Sequence, residues 1–339
     1  MSRILPTGKV PAEVLERIVF PHCGVESDRV IQGPGVGEDA ALLDIGENAL
    51  ILKMNPITGA ESKIGWLAVH VNANDIATCG ARPRWFMATV LLPEGATEGL
   101  LETIMKEIHE ACCSLEISLI GGHTESVLGL KRTIISGFMM GETPKSGCIT
   151  TGGARPGDDI ILTKGAGLEG TGILASDLQD VLKNKVSGET LKRAVSLLDK
   201  VSIVEETLTA FKVGGVHSMH TPTEGGLLNG VWEMAESAKV GVEIHEKEIP
   251  MATETREICA ALEVDPLKLL NSGGLLIVVD PTKSEDILSA LEDIGVHARL
   301  IGKVKTLNQG RKLLQKGGFQ PIKSVKQDEL YRILDKYGR

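Results

Sequence analysis

The 339-residue chain is poor in several things, and each shortage removes a class of function. Aromatic residues make up only 3% of the sequence, too few for a platform that stacks nucleic-acid bases. The six cysteines (Cys23, Cys79, Cys112, Cys113, Cys148 and Cys259) form no CxxC pair, and only Cys112 and Cys113 are close, being adjacent. That spacing fits neither a zinc site nor a disulfide framework and suits a reducing, cytoplasmic setting. No stretch reaches the apolar length needed to cross a bilayer, and the N-terminal twenty residues lack the continuous apolar core of a signal peptide. GxxxxGK[ST], GxSxG and HExxH are all absent, so P-loop, serine-hydrolase and zinc-protease chemistry have no footing. Positive charge is in deficit: 36 Lys and Arg stand against 45 Asp and Glu, a net charge of -9. This opposes general binding to nucleic acid or an anionic membrane, while leaving room for a local basic site that takes a small anion.

What is present describes a two-domain α/β (α+β) chain. Hydrophobic residues at 42% and charged residues at 24% suit a globular protein with cores to fill, and the length suits two domains. "PAEVLERIVF" predicts a first helix after a proline, and "ALLDI" and "NALILKM" predict paired strands around Gly46. "SKIGWLAVHVNANDIATCGA" has mostly helical spacing and stops at Gly80, and "PRWFMATVLLP" predicts a buried strand between prolines. "TEGLLETIMKEIHEACCSLE" predicts an amphipathic helix, followed by strands "SLIGG" and "TIISGFMMGE". The Gly- and Pro-rich stretch "TTGGARPGDD" (residues 150–159) breaks this pattern. Beyond it strands ("DIILTK", "GVHSMH", "GVEIH", "LLIVVD", "HARLIGKV") alternate with helices. The boundary is placed at about 150, giving domains 1–150 and 151–339.

The segment "IQGPGVGEDAALL" (residues 31–43) poses the chemical question. Its glycines suit close approach of backbone to phosphate, yet Glu38 and Asp39 follow at once, and carboxylates repel phosphate unless a cation intervenes. "KGAGLEG" has Gly165, Gly167 and Gly170 in GxGxxG order between a strand and a helix. The rest of a dinucleotide fold is missing, since residues 171–211 predict helices with no acid-terminated second strand. A helix N-terminus facing an anion or a plain turn remains. "VNANDIATCGARP" places Asn72, Asn74 and Asp75 on one helical turn, which suits either oxygen ligation of a hard cation or a solvated face. "LIGGHTES", "MHTPTEGGLLNG" and "LLNSGGLLIVV" add glycine-plus-polar junctions at strand ends. Together they point to one shared polar cleft.

Taken in order, "GEDAA", "VNANDIATCGARP", "GGHTE", "GDDIILTKGAGLEGTGILA", "TPTEGGL", "NSGGLLI" and "IGKV" resemble the ATP-binding superfamily of aminoimidazole ribonucleotide synthetase (PurM-like). That superfamily also holds thiamine-monophosphate kinase, selenophosphate synthetase and the hydrogenase-maturation protein HypE. The likeness runs from about residue 8 to about residue 305 and is strongest toward HypE and the HypE-like, synthetase-related proteins. It implies a PurM-like fold, a homodimer whose N-terminal sheets pair into a barrel, and ATP with Mg²⁺ in a cleft between the domains and across the dimer. It also implies ATP-driven phosphorylation of an oxygen, usually an amide-type carbonyl. By the resemblance Asp39 and Asp75 hold metal. Gly35, Gly37, Gly121, Gly122, Thr223 and Gly225 bring backbone and hydroxyl to the nucleotide. Asn55 and Asn74 supply neutral oxygen ligands or hydrogen bonds, Lys164 pairs with phosphate, and His123 and His220 contact phosphate or move protons.

The departures from the family pattern are specific. Asn55, His123 and Thr221 stand where HypE carries acids, so fewer metal ions, weaker nucleotide binding or a partly decayed site are the expectations. HypE ends in a cysteine that accepts a carbamoyl group. Here the chain ends "LYRILDKYGR" and its last cysteine is Cys259, while Cys79 is the better-placed reactive candidate. Three functions stay open: an ATP-dependent enzyme with an unknown small-molecule or protein acceptor, a non-catalytic nucleotide-binding scaffold or maturation partner, and aminoimidazole ribonucleotide synthetase itself.

Overall fold

A computed structural model describes residues 4, 5 and 7–338. After a short helical stretch from Ala12 to His22, the first half builds a six-stranded sheet. Its strands are β1 (Val30–Gln32), β2 (Ala41–Asp44), β3 (Asn48–Ile57), β4 (Arg82–Pro93), β5 (Ser118–Val127) and β6 (Ile134–Pro144), in the order β1-β2-β3-β6-β4-β5. All neighbours are antiparallel except β4 and β5, which run parallel because the helix Glu98–Ser114 carries the chain back between them. The second half builds a seven-stranded sheet from β7 (Asp159–Thr163), β8 (Val216–His220), β9 (Gly241–His245), β10 (Leu276–Val279), β11 (Ala298–Lys305), β12 (Arg311–Gln315) and β13 (Gly318–Pro321). Their order is β13-β12-β9-β11-β7-β10-β8.

The helix Ile64–Thr78 sits between the two halves and explains its own composition. Every residue in it is buried except Trp66. A helix covered on all sides needs no polar stripe, so its apolar spacing was never that of a surface helix. Gly65 allows the close approach: a Cβ there would meet the carbonyl oxygen of Ile104 at 2.5 Å. The core around this helix is shared. Phe86, Ile51, Leu67 and Ile108 from the first half form one cluster with Ile173, Leu174, Leu182, Leu198, Ile333 and Leu334 from the second. Full burial of a large aliphatic side chain contributes about 1.5–3 kcal/mol, so the halves are held together by apolar packing as firmly as by polar contacts. Two further clusters fill the two faces of the second sheet.

Asn74 adds a polar stitch to this seam. Its amide nitrogen donates to the carbonyls of Val201 (2.8 Å) and Ser272 (3.0 Å), and its oxygen accepts from the backbone N–H of Ile203 (2.9 Å). Asn72 performs the same service locally, exchanging bonds with the backbone of Asn55 on β3. A buried amide left without these partners would cost about 1–3 kcal/mol per lost group, which is why the helix carries amides at these points.

The strand β5 is the opposite case. Residues 118–126 are all exposed, and Leu119 and Ile120 stand open at 42% and 53%. Long open edges with apolar side chains invite pairing with another chain.

His70 lies in the same buried helix, packed against the Trp66 ring at 4.2 Å, and among the described residues neither ring nitrogen has a hydrogen-bond partner. Burial, aided by Lys164, pushes its pKa down to about 4. The folded value lies below the unfolded one, so the neutral ring's stabilisation is complete above pH ~6.5 and is lost as pH falls toward 4, to about 3 kcal/mol. Urea unfolding at pH 7.5 and at pH 4.5 is expected to show a smaller acid loss for His70→Leu than for the parent chain. Equal losses would remove this role.

Candidate active site

A cavity of about 1160 Å³ opens between the two halves. Its walls come from the N-terminal strap at residues 7–15, the Gly35–Asp39 turn, β3, the end of β8 with the turn after it, and the C-terminal segment around Asp328 and Tyr331. Pockets for small ligands commonly run to about 300–1,000 Å³, so this one has room for a nucleotide and a second molecule.

The turn that begins the site owes its shape to Gly37. Its φ is +79°, and a Cβ there would lie 2.6 Å from the carbonyl oxygen of Glu233. Only glycine permits both the left-handed backbone and that approach. The turn delivers Asp39 to the cavity with its side chain 6% exposed. Asp75 arrives from the last turn but one of the buried helix, and Thr221 from just beyond β8 joins the two. Its backbone N–H donates to Asp39 Oδ2 at 3.4 Å and its hydroxyl to Asp75 Oδ1 at 2.9 Å.

Each carboxylate is also neutralised. Lys53 Nζ lies 2.9 Å from Asp75 Oδ2, and the Asn55 amide donates to that same oxygen at 2.8 Å. His220 Nδ1 lies 2.8 Å from Asp39 Oδ1, an ionic contact off the ring N–H axis. Its Nε2 is 3.3 Å from Glu233 Oε2. Lys9 reaches from the half-exposed strap to Glu233 Oε1 at 2.7 Å. Three carboxylates (Asp39, Asp75, Glu233) thus face three cations (Lys9, Lys53, His220). Burial opposes the charge on His220, but Asp39 and Glu233 outweigh it and raise its pKa to about 10. Burial likewise opposes ionisation of Glu233, but Lys9 and His220 bring it down to about 2. Lys53 sits above its ordinary value, because Asp75 and Asp39 overcome its burial. On the far wall burial, with Glu224 nearby, lifts Glu169 and Asp328 to about 7.

The sequence-derived residues divide into two groups. Gly35, Gly37, Asp39, Asn55, Asp75, His220, Thr223 and Gly225 line the cavity. Asn74, Lys164, Gly121, Gly122 and His123 do not. Asn74 is occupied in the seam. Lys164 is held by Glu206 at 3.0 Å and by the carbonyls of Lys200 and Ser202. Gly121, Gly122 and His123 lie on the open β5 strand, where His123 is 66% exposed and its nearest charged neighbour is Glu125. Gly122 has a packing reason of its own: a Cβ would fall 2.0 Å from the carbonyl oxygen of Ala88 on β4. The GxGxxG turn is likewise structural, with Gly165 against the carbonyl of Pro250. Cys79 is buried and its thiol is held well above its ordinary pKa by that burial and by Asp39 and Asp75, which opposes the thiolate that the better-placed cysteine candidate would need.

Sequence reasoning missed Lys53 and Glu233. Lys53 is one residue in an alternating strand, two before the noted Asn55 and therefore on the same face of β3. That parity was the available signal. Glu233, on the helix Gly226–Ser237, had no local signal.

Two packed α/β halves thus enclose a polar cleft. The chain belongs to the AIR synthase related proteins: the model of their N-terminal domain matches residues 37–143 and that of their C-terminal domain residues 155–311. A carbamoyl dehydratase HypE of Rhizobium leguminosarum bv. viciae is 30% identical over 74% of this chain and 71% of its own. A putative hydrogenase expression/formation protein of Methanocaldococcus jannaschii is 29% identical over 89% of this chain and 90% of its own. Among solved structures, the hydrogenase maturation protein HypE in complex with ATP superposes with a TM-score of 0.72 at 23% identity, covering 96% of this chain and 98% of that one. The fold is PurM-like, as the sequence resemblance implied.

The His220 ion pairs make a direct forecast. A cation whose folded pKa is raised stabilises fully below pH ~6.5 and loses that contribution as pH rises through about 10. His220→Gln leaves Asp39 and Glu233 facing each other and is expected to cost about 3–5 kcal/mol at pH 7, with the deficit shrinking toward pH 10. Nitrogen NMR of the parent chain should show an imidazolium at pH 8, and a neutral ring there would overturn the network.

Proposed function

We propose that the chain binds ATP in this cleft and uses it to activate an oxygen or amide-type acceptor by phosphoryl transfer, in the manner implied by its HypE relatives. The observation that carries this reading is that Lys53, Lys9 and the glycine turn at Gly35 and Gly37 all line one cavity large enough for nucleotide and acceptor. Supporting it are the relative named a carbamoyl dehydratase and the solved relative holding ATP. The residues from 1 to 150 form the phosphate-facing domain, and those from 151 to 339 cover it.

In this reading the turn amides and the two ammonium groups meet the polyphosphate, whose charge favours compact cations and backbone donors. As the bond from the terminal phosphorus to the acceptor oxygen forms, the bond to the ADP oxygen breaks and ADP leaves with that electron pair. Lys53 and Lys9 are placed to hold the charge that gathers there, an electrostatic role that needs no proton transfer. His220, fixed as a cation between two carboxylates, orients Asp39 and Glu233. Glu169, which accepts the backbone N–H of Ser272 on one oxygen, offers the far wall to the acceptor, where its protonated form can donate a hydrogen bond to a carbonyl, while Asp328 is taken up by the backbone N–H groups of Gly225, Leu270 and Leu330.

A Mg²⁺ ion held by the protein does not fit the residues present. Both oxygens of Asp75 and of Asp39 already face protein donors or cations, and among the described residues no group of three or more His, Cys, Asp and Glu could hold a metal.

A homodimer accompanies the proposal. Pairing of two β5 edges would cover Leu119 and Ile120 and would bring Gly121, Gly122 and His123 toward a second copy's cleft. Light scattering should give twice the 36.1 kDa chain mass, and Ile120→Glu should shift it toward the monomer. A monomer at all concentrations would remove this part.

Calorimetric titration with a nonhydrolysable ATP analogue should saturate with a Kd in the range of roughly 1 μM to 1 mM, and Gly37→Ala should weaken it at least about tenfold. Absence of heat at millimolar nucleotide would end the proposal. Binding of ATP itself with no ADP release in the presence of amide-type acceptors would instead favour the second reading, a nucleotide-holding scaffold.

A further inference from the structure

The geometry points to Lys53 as a built-in counter-cation: we infer that its ammonium stands in place of a protein-held divalent ion between Asp39 and Asp75, so that the cleft refuses free metal. The inference deepens the nucleotide reading, on which its catalytic meaning rests, but the metal behaviour can be read without nucleotide.

Four observations converge. Thr221 donates to both aspartates and so fixes them on one wall of the cavity, as two ligands to one ion would be fixed. Lys53 enters from β3 with its side chain only 21% exposed and places Nζ 2.9 Å from Asp75 Oδ2, with Asp39 the next anion that acts on it. Asn55, two residues along the same face, presents its NH₂ group to Asp75 and thus acts as a donor where an oxygen ligand would be needed. Asp39 is committed on its other side to His220. A hard divalent ion needs several anionic or neutral oxygens around it at short range. Here it would have to displace an ammonium, an amide NH₂ and a hydroxyl from one carboxylate, and would then lie beside the displaced positive charge.

The substitution changes the chemistry in a definable way. A divalent ion dissociates and exchanges; an ammonium on β3 is permanent, carries one charge and has three donors of fixed origin. The wall is therefore ready for a phosphate oxygen before any metal arrives, and a metal reaches the site only as a passenger on the polyphosphate. Charge at this point is set by the chain and not by metal supply.

The probe is Mn²⁺ alone, added to the full chain without nucleotide and followed by electron paramagnetic resonance of the free ion. The parent chain is expected to leave Mn²⁺ free up to about 100 μM. Lys53→Gln, which opens Asp75 while keeping a similar length, should retain one equivalent, at least about tenfold tighter than the parent, and the further change Asp75→Asn should abolish that retention. Lys53→Arg keeps the charge and should stay as blind to Mn²⁺ as the parent. Tight binding of Mn²⁺ by the parent chain, lost in Asp75→Asn, would overturn the inference whatever the variants do. A folded Lys53→Gln that gains no Mn²⁺ would overturn it as well. Neither result bears on whether the parent binds nucleotide. Conversely, an absence of nucleotide heat would end the functional reading and leave the Mn²⁺ results standing.

Discussion

Everything in the cleft depends on how two aspartates are held close together away from bulk water. Buried carboxylates of like sign repel, and burial alone would drive one of them to protonate. Thr221 gives each a hydrogen bond, but a neutral donor does not cancel charge. Cancellation comes from Lys53 on one side and His220 on the other, with Glu233 and Lys9 extending the alternation of sign to the cavity mouth. Along this network the order is Lys9, Glu233, His220, Asp39, Asp75, Lys53, so each acid has a cation beside it while the two aspartates stay like-charged neighbours bridged by Thr221. It also means that no single member can be removed without exposing another.

The same constraint explains the seam. Asp75 must be carried by an element that reaches the middle of the molecule, and only a helix covered on all sides does so. Covering that helix requires the second half to lend it Ile173, Leu174 and Leu198. Asn74, one residue before Asp75, then fastens the helix to the backbone at residues 201–203 and 272. Ser272 in turn lines the cavity and donates its backbone N–H to Glu169. The polar seam and the site are therefore one connected structure. A change at Asn74 would be felt at Asp75 through a rigid helix and not through any contact with a ligand.

Much of this was legible in the chain before folding, for identifiable reasons. Strand–helix alternation located the main strands from β2 to β11, because apolar runs bounded by Gly and Pro are a local signal. β1, β12 and β13 were missed: they are short and largely polar or exposed, and their pairing is decided by neighbours far along the chain. Asp39, Thr221 and His220 could be singled out because unusual polar residues sat in or beside glycine-rich turns, and Asp75 because it shared a helical turn with Asn72 and Asn74. The roles of Asn74 and Lys164 could not be read, since a buried amide serving backbone carbonyls and a lysine serving Glu206 look, in sequence, like ligands. Lys53 shows the limit most clearly. Its identity is unremarkable in a strand, and only register with Asn55 and the approach of a helix from twenty residues later make it the partner of an aspartate.

That register also answers why an acidic protein can offer a polyanion a place at all. The net charge of -9 is distributed over the surface, where water and salt screen it. Within the cleft the balance is local: Asp39, Asp75 and Glu233 are each matched by a cation, Glu38 is bonded to the Ser237 hydroxyl, and burial raises Glu169 and Asp328 on the opposite wall to about 7. Screening is weakest where the matching is most complete, so a ligand approaching the turn meets the donors of Lys53, Lys9 and the backbone and not the sum of the protein's carboxylates. In the proposed function, the ion-paired side at Lys53 and Lys9 suits a charged group and the partly protonated Glu169 side suits a neutral carbonyl.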